Sequence, residues 1–390
     1  MTDAVIVATA RTPIGRARKG TLVGVDDLEL ARVAVGAAIE RSGIPASDFD
    51  DVIVAESLAG GGVMARNVAV QLGLTHVPGL ADNRHCAAGL SAVQIAASSI
   101  RAGMDQVVVA GGTESMSTMI TSLKPPPFGG DPEPWFPLTH PPTPDAPPLD
   151  MSITVGHNAA KEMGLTRQDL DEWAVWSQGN AIASIDGGWF VDQIVPVEAP
   201  QADGSTVTFS VDEFPRRGTT LEALADLKPL HPEIEDFNIT AGNAGGLNDA
   251  AAAVVVVSSD YAEANGLTPL ARIVSWASIG IEPARTGMAP TVAIPKALQR
   301  AGLGISDIDL FEVNEAFNSV PVAAHRTLGI DPTIVNVNGS GCSLGHPIAC
   351  TGARMTITMV HELRRRGANL GVVSMCAGGG MGSALVLEAL

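Results

Sequence analysis

CAAGLSAVQIAASSIRAGMDQVVVAGG, residues 86–112, and PIACTGARMTITMVHELRRRGANLGVVSMCAGGG, residues 347–380, decide the fold, because the second stretch repeats the organisation of the first. Each reads as a helix that stops at a glycine, Gly103 or Gly367, and is followed by a short apolar strand that ends in a glycine cluster. This repeat predicts two similar α/β halves that face each other across a cleft.

On either side of the repeat, short apolar runs alternate with alanine-rich helical stretches. Several of the apolar runs are continuous, as is typical of strands in sheets that are covered on both faces. The predicted strands are 5–8, 51–55, 107–110, 206–212, 253–257, 272–276, 308–313 and 371–375. The predicted helices are 28–42, 87–101, 152–184, 290–301, 316–328 and 348–366. The alternation predicts an α/β layered architecture.

The middle of the chain breaks this alternation. Eleven of the 26 prolines lie within residues 125–148, which predicts an irregular or polyproline-like segment with neither helix nor sheet. A surface linker is one interpretation, and a loop that packs over a site or another subunit through Trp135 and Phe136 is the other. We interpret residues 116–247 as an insertion between the two halves.

Composition excludes several classes of protein. The chain has 24 Lys and Arg against 42 Asp and Glu, a net charge of −18, which argues against a nucleic-acid or anionic-membrane partner. Four cysteines in 390 residues exclude a scaffold built on disulfides. No apolar run reaches transmembrane length and the first residues do not resemble a signal peptide. We therefore expect a soluble, cytoplasmic protein.

Two cysteines occupy positions suited to chemistry. Cys86 directly precedes a predicted helix, where the helix dipole and free N–H groups favour a thiolate nucleophile. A buried structural cysteine is the alternative. Cys376 ends an apolar strand and opens a run of glycines, which suits a proton-transferring group beside an oxyanion pocket.

Four further residues could complete or replace such a site. His346 lies before Pro347 at a predicted helix entrance, and Asn314 follows a predicted strand, where it could hold a water or a carbonyl oxygen or simply cap the next helix. Cys342, His346 and Cys350 have a spacing that could hold zinc on a helix, but Pro347 argues against a helix through them.

Six segments carry a resemblance to a known family. They are NRHCAAGLSAV at 83–93, GGTESMS at 111–117, TAGNAGGLNDAAA at 240–252, NEAF at 314–317, NVNGSGCSLGHPIACTGAR at 336–354 and CAGGGMG at 376–382. In order and spacing, over nearly the whole chain, the sequence resembles the thiolase family of acyl-CoA acetyltransferases and 3-ketoacyl-CoA thiolases.

The resemblance implies a role for each catalytic residue. Cys86 matches the nucleophile that carries the acyl group as a thioester, and His346 matches the group that activates that thiol and contributes to an oxyanion hole. Cys376 matches the acid/base cysteine. Asn314 matches the residue that holds a water in the first oxyanion hole, while Gly378 and the Cys86 N–H match the second.

The resemblance also implies the substrate and the architecture. Coenzyme A would be a substrate, with no metal and no permanently bound cofactor, and the assembly would be a homodimer or homotetramer. Arg216 matches an arginine near the CoA adenine and Met151 a methionine of the acyl pocket; the other implied contacts are Ala241, Gly245, Ala316 and Phe317. The implied fold has five layers, α-β-α-β-α. Its parts would be residues 1–115 with about 248–268, a CoA-binding loop domain at 116–247, and residues 269–390.

Four departures from the family pattern concern the site and its surroundings. Gly245 replaces a usual serine, Asp150 a usual histidine and Ala349 a usual glycine, and the proline-rich 125–148 replaces an ordinary loop. Three functions stay open. The first is a catalytic thiolase of fatty acid metabolism, which cleaves 3-ketoacyl-CoA or condenses acetyl-CoA, and the second is a non-catalytic thiolase-like acyl-CoA-binding protein. The third is a metal-dependent hydrolase that uses Cys342, His346 and Cys350.

Overall fold

The computed structural model describes residues 2–59 and 61–390, and its centre is a ten-stranded sheet. The strands of the chain are β1 Ala4–Arg11, β2 Gly15–Arg16, β3 Asp51–Glu56, β4 Leu80–Asp82, β5 Val107–Ser115, β6 Leu123–Lys124, β7 Glu133–Pro134, β8 Val197–Pro200, β9 Thr206–Phe209, β10 Asn248–Ser258, β11 Ala271–Gly280, β12 Leu310–Val313, β13 Leu370–Ala377 and β14 Met381–Ala389. The α-helices are α1 Asp27–Ser42, α2 Met64–Gln71, α3 Ala88–Arg101, α4 Asn158–Glu162, α5 Arg167–Asp186, α6 Leu221–Ala225, α7 Ser259–Ala264, α8 Pro290–Ala301, α9 Ser319–Leu328 and α10 Thr351–Arg366.

The strand order shows two matched halves. One half runs β1-β10-β5-β3-β4 and the other β11-β14-β13-β12. In each half the strand after the long helix, β5 or β13, pairs in parallel on one side and antiparallel on the other. The halves join where β1 and β11 pair at Val5–Arg272 and Ile6–Ala271. The predicted repeat is therefore confirmed.

Helices cover both faces of the sheet in each half. α1 and α2 cover the outer face of the first half, α8 and α9 that of the second, and α3 and α10 lie between the halves. Along β5, Val107 and Val109 pack in the outer core with α1, whereas Val108 and Ala110 pack in the central core with α3. This is why the strands read as continuous apolar runs, and the five-layered α-β-α-β-α fold is confirmed.

The two central helices cross in near backbone contact. A Cβ built on Gly352 of α10 would lie 2.3 Å from the Leu90 nitrogen of α3, and one on Gly89 would lie 2.4 Å from the Ala349 oxygen. Only glycine allows so close an approach. Since α3 follows Cys86 and α10 follows His346, the crossing brings both segments to the same region of the molecule.

The proline-rich segment departs from its prediction at one point. Glu133 and Pro134 form the two-residue strand β7 against Leu123 and Lys124, so the expectation of no sheet within 125–148 was wrong there. Proline is tolerated because this is an isolated edge pair, and the neighbouring bond is donated by Trp135 N–H to the Ser122 carbonyl at 2.9 Å.

Several predicted boundaries were also wrong. The helix expected at 152–184 is divided at Gly164, whose φ is +62°, and it begins as a π-helix at Ser152–His157, for which the sequence carries no signal. The helix expected from 316 begins at Ser319, because residues 316–317 pair with the loop at 244–245. The helix expected from 348 begins at Thr351, the strand expected from 308 at Leu310, and the strand expected to reach 212 ends at Phe209.

Among the described residues, no helix combines the length and apolarity that crossing a bilayer would need.

Candidate active site

Cys86 lies in a strained turn between β4 and α3. His85 has a φ of +47°, in the left-handed region that residues with a Cβ seldom adopt. Arg84 anchors the turn, donating to Ser91 Oγ at 2.6 Å and Ser278 Oγ at 2.7 Å. Strain of this kind collects at functional sites, and here it presents the Cys86 side chain at the entrance of α3.

The surroundings of Cys86 act on its protonation state in two opposite directions. Burial raises the pKa of the thiol to about 11, and the nearby Glu114 carboxylate adds to this, although N–H groups of Gly378 and of Cys86 itself point at the sulfur and act in the opposite direction. Desolvation therefore opposes the helix dipole, which was the reason for expecting a thiolate-favouring position from the sequence. Cys86 rests as a thiol that needs a base.

Cys376 and Gly378 lie beside Cys86, at the turn between β13 and β14. Burial, and then the negative charge that Cys86 carries when it is a thiolate, raise the pKa of the Cys376 thiol, an effect that requires the two residues to be near each other. The turn depends on Gly380, whose φ is +78° and whose Cβ would lie 2.2 Å from the Ile281 carbonyl oxygen. The structure thus brings together three of the predicted site residues.

His346 is held as a neutral base. Thr351 Oγ1 donates its proton to the Pro347 carbonyl at 2.7 Å, so it can only accept from His346 Nδ1, also at 2.7 Å. Nδ1 therefore carries the ring proton and Nε2 has a free lone pair. Burial, with a contribution from the Arg354 charge, lowers the pKa of His346 to about 4, which keeps the imidazole neutral at pH 7.

Asn314 follows β12 and lies against the imidazole. Its N–H donates to the Ser374 carbonyl of β13 at 2.9 Å, and its Nδ2 is 3.4 Å from His346 Nε2. Its Oδ1 is buried and has no hydrogen-bond partner among the described residues. The structure therefore places Asn314 and His346 together, with amide and imidazole available to a polar group.

Two buried residues, Glu114 and Asn248, support the site through hydrogen bonds to backbone N–H groups, and neither was assigned a role from the sequence. Glu114 accepts the N–H of Leu58 at 3.0 Å and that of Ala349 at 3.1 Å, and burial raises its pKa to about 7. Asn248 accepts the His346 N–H at 3.0 Å. Both lie within the motifs that carry the resemblance, but their roles depend on partners 235 and 98 positions away.

The predicted CoA contacts Gly245, Ala316 and Phe317 also come together. Gly245 N–H donates to the Ala316 carbonyl at 2.9 Å, and Ala244 pairs with Phe317. A Cβ on Gly245 would lie 2.9 Å from the Glu315 oxygen and 3.3 Å from His346 Cβ, so glycine fits where the family usually has serine. Ala241 is exposed in the same loop.

Arg216 lies next to this loop through an aromatic ring. The guanidinium groups of Arg216 and Arg16 lie 5.6 Å and 5.9 Å from the Phe214 ring centre, and that ring packs tightly on Gly246. Arg217 is instead paired with Asp186 at 2.9 Å on the surface. The cation cluster beside the loop is therefore Arg16 and Arg216, and the sequence reasoning missed Arg16.

Comparisons with known proteins agree with this geometry over the whole chain. The family models described as "Thiolase, N-terminal domain" and "Thiolase, C-terminal domain" match residues 4–260 and 267–389. This chain belongs to the thiolase family. It is 42% identical over 401 residues to an acetyl-CoA acetyltransferase of Cupriavidus necator, with all of both chains covered.

Solved structures show the same likeness for this thiolase. The crystal structure of the Bacillus anthracis acetyl-CoA acetyltransferase has a TM-score of 0.92 at 39% identity, covering 100% of this chain and 99% of that one. Human mitochondrial 3-ketoacyl-CoA thiolase in complex with CoA has a TM-score of 0.90 at 35% identity, covering 100% and 98%. In both cases a similar fold accompanies a sequence identity of 35% or more.

Asp150 of this thiolase pairs with a histidine, His231. Its Oδ2 is 2.8 Å from Nε2 of His231, whose Nδ1 is 2.8 Å from Glu233 Oε1. Burial acts to raise the pKa of Asp150, but the Ser152 hydroxyl bond and the His231 charge hold it below the usual range. Asp150 Oδ1 accepts the N–H of Ser152 at 3.0 Å and its hydroxyl at 2.6 Å, where the π-helix begins.

An apolar cleft of about 410 Å³ opens at Cys86, and we call it the Cys86 cleft. Gly378 and Met151 line it beside Cys86, as does Phe136 of the proline-rich segment. The interpretation of that segment as a loop over a site therefore describes its placement better than a surface linker does.

The zinc alternative finds no support in the placement of its residues. Cys342 Sγ donates to the Gly242 carbonyl at 3.4 Å, and His346 Nδ1 is occupied by Thr351. Across residues 2–59 and 61–390, no group of three His, Cys, Asp or Glu side chains could hold a metal ion.

Proposed function

We propose that this thiolase is a catalytic acyltransferase that cleaves 3-ketoacyl-CoA with CoA, or condenses two acetyl-CoA, through a thioester on Cys86. The observation that carries the proposal is that Cys86 and Gly378 line one cleft, with the Gly378 N–H directed at the Cys86 sulfur and Cys376 close enough to be affected by its charge. Thioester exchange needs a nucleophile, a proton shuttle and donors for the developing oxyanion, and these groups can supply them.

In the first half-reaction, Cys86 passes its proton to Nε2 of His346 and its sulfur attacks the 3-keto carbon. The oxyanion that forms is stabilised by N–H donors of the site. Collapse breaks the bond between carbons 2 and 3 of the substrate, leaving the shortened acyl group on Cys86. Cys376 gives its proton to the departing acetyl-CoA carbanion and becomes a thiolate.

In the second half-reaction, the Cys376 thiolate takes the proton of the incoming CoA thiol. The CoA sulfur attacks the thioester, and collapse of the tetrahedral intermediate releases acyl-CoA and the Cys86 sulfur. That sulfur recovers its proton from His346. Every proton returns to its donor, so the cycle needs no metal and no permanently bound cofactor, and it runs in either direction by mass action.

The protonation states of Cys86 and His346 before substrate binds support these proton transfers. A Cys86 thiol with a pKa of about 11 and a His346 imidazole with a pKa of about 4 are both neutral at pH 7. A neutral pair avoids a buried charge before substrate arrives, and the thiolate forms only when the substrate can use it.

The loop at 240–247 with Ala316, Phe317 and Arg216 is our proposed CoA-binding face. Support comes from their contacts and from the relative that was solved in complex with CoA. We also propose a cytoplasmic location and a homodimer or homotetramer. Relatives named as enzymes over the full chain favour the catalytic function over a non-catalytic acyl-CoA-binding protein.

The test is loss of 3-ketoacyl-CoA absorbance on addition of CoA. The wild-type protein should consume acetoacetyl-CoA or a longer 3-ketoacyl-CoA, and Cys86→Ala should not. Binding of acyl-CoA without CoA-dependent cleavage, across a range of chain lengths, would instead identify a binding protein.

A further inference from the structure

We infer that the acyl group carried by Cys86 is larger than acetyl: an apolar chain that extends several carbons beyond acetyl, housed in the Cys86 cleft. The inference rests on the proposed function and names its substrate class. It depends on the walls of the cleft, on the way the proline-rich segment is tied down, and on the separation of the cleft from the proposed CoA-binding face.

The lining of the Cys86 cleft is almost entirely apolar. Its walls beyond Cys86 and Gly378 are formed mainly by Met119, Phe136, Pro148, Leu149, Met151 and Ile348. Its volume of about 410 Å³ corresponds to roughly fourteen molecules of liquid water at about 30 Å³ each. An acetyl group has three heavy atoms, so it would leave most of this space unfilled.

The mouth of the cleft exposes large apolar side chains. Leu149 is 66% exposed, Phe136 43% and Met119 38%. Such a cluster next to a reactive thiol marks a site for an apolar ligand. We assign the acyl chain as the occupant because the cleft begins at the sulfur to which that chain would be bonded.

The proline-rich wall is held in place without a ligand. His140, which is buried, contacts the Ala146 carbonyl at 3.0 Å through Nε2 and Thr139 Oγ1 at 2.8 Å through Nδ1. Thr154 of the π-helix donates to the Pro147 carbonyl at 2.8 Å. A preformed wall lowers the ordering cost of binding, so apolar contact with it is available to increase affinity.

The Cys86 cleft does not share its lining with the proposed CoA-binding face. The cleft is lined by none of the five residues assigned to that face, which are Arg216, Ala241, Gly245, Ala316 and Phe317. The pantetheine arm would therefore approach Cys86 over the 240–247 loop and leave the cleft to the acyl chain. Met151, which is implied by the resemblance to belong to the acyl pocket, is one of its walls.

The experiment compares kcat/KM for thiolysis of acetoacetyl-CoA and 3-oxooctanoyl-CoA, which differ by four methylenes. Full burial of one methylene is worth a factor of about four, and the cleft is partly open, so we expect about a tenfold preference for the longer substrate. Leu149→Asp places a charge in the cleft and should reduce that preference at least fivefold.

Leu138→Asp is the matched control. Leu138 belongs to the proline-rich segment, is 50% exposed and is not among the residues that line the cleft. The same change of charge there should leave the ratio of the two kcat/KM values within twofold of wild type. Any general repulsion of anionic CoA would affect both variants alike and cancel in this ratio.

Three results separate the possible failures. A kcat/KM that falls with chain length from acetoacetyl-CoA onward overturns the inference and leaves the proposed function standing. Absence of CoA-dependent cleavage of either substrate overturns the proposed function itself. If Leu149→Asp changes the sedimentation coefficient while Leu138→Asp does not, and the substrate ratio stays constant, the cleft is an interface with a second copy and the inference is wrong.

Discussion

The crossing of α3 and α10 is sensitive to a single small substitution. In Gly352→Ala the new methyl would lie 2.3 Å from the Leu90 nitrogen and 2.8 Å from Leu90 Cα, and backbone atoms cannot rotate away. Overpacking of this kind costs about 1–3 kcal/mol, and we take the upper end. Alanine gains about 1 kcal/mol over glycine within a helix, so the net loss of stability is about 2 kcal/mol.

The assay is thermal unfolding beside a matched control. An unfolding entropy of about 2.1 cal/mol/K per residue over 390 residues converts this loss into a fall of about 2–3 °C in the midpoint. Gly179→Ala, in α5 with nothing within 4 Å of the new Cβ, should instead be neutral or stabilising. If Gly352→Ala melts at or above the wild-type temperature, the close crossing of α3 and α10 is not as described.

Three further predictions concern the site. Because the pKa of Cys86 is raised to about 11, its labelling by iodoacetamide, followed by peptide mapping, should increase about tenfold per pH unit from 7 to 9, whereas an ordinary thiol of pKa about 8.5 would approach a plateau. Cys376→Ser should lower the kcat of thiolysis by about 10²–10⁴-fold with little change in acyl-CoA affinity by titration calorimetry; normal turnover would remove Cys376 from the mechanism. Glu114→Gln turns an NH₂ toward Leu58 or Ala349 N–H, so unfolding should become easier by about 1–3 kcal/mol; unchanged stability in denaturant would argue against both bonds.

The two halves of the fold could be predicted because their signal is local. Residues 86–112 and 347–380 each contain a whole helix, its terminating glycine and the next strand, so the repeat is visible without any tertiary contact. The resemblance extended this to the five layers. The crossing at Gly89 and Gly352 could not be foreseen, because it depends on two helices separated by most of the chain.

The sequence predicts which residues form the site, but it does not predict their protonation states. The motifs placed Cys86 and His346 as residues of one site, but the helix start at Cys86 suggested a thiolate. Burial opposes that tendency, and burial is a property of the whole fold. The tautomer of His346 also depends on the folded geometry, because the Thr351 hydroxyl donates its only proton to the Pro347 carbonyl and must accept a hydrogen bond from His346 Nδ1.

The central claim is that Cys86 carries the acyl group. Intact-mass spectrometry after mixing with acyl-CoA, followed by peptide mapping, tests it directly. We predict one acyl adduct, located on Cys86, in the wild-type protein and no adduct in Cys86→Ala. An adduct that persists in Cys86→Ala, or that maps to Cys376 in the wild type, would contradict the account.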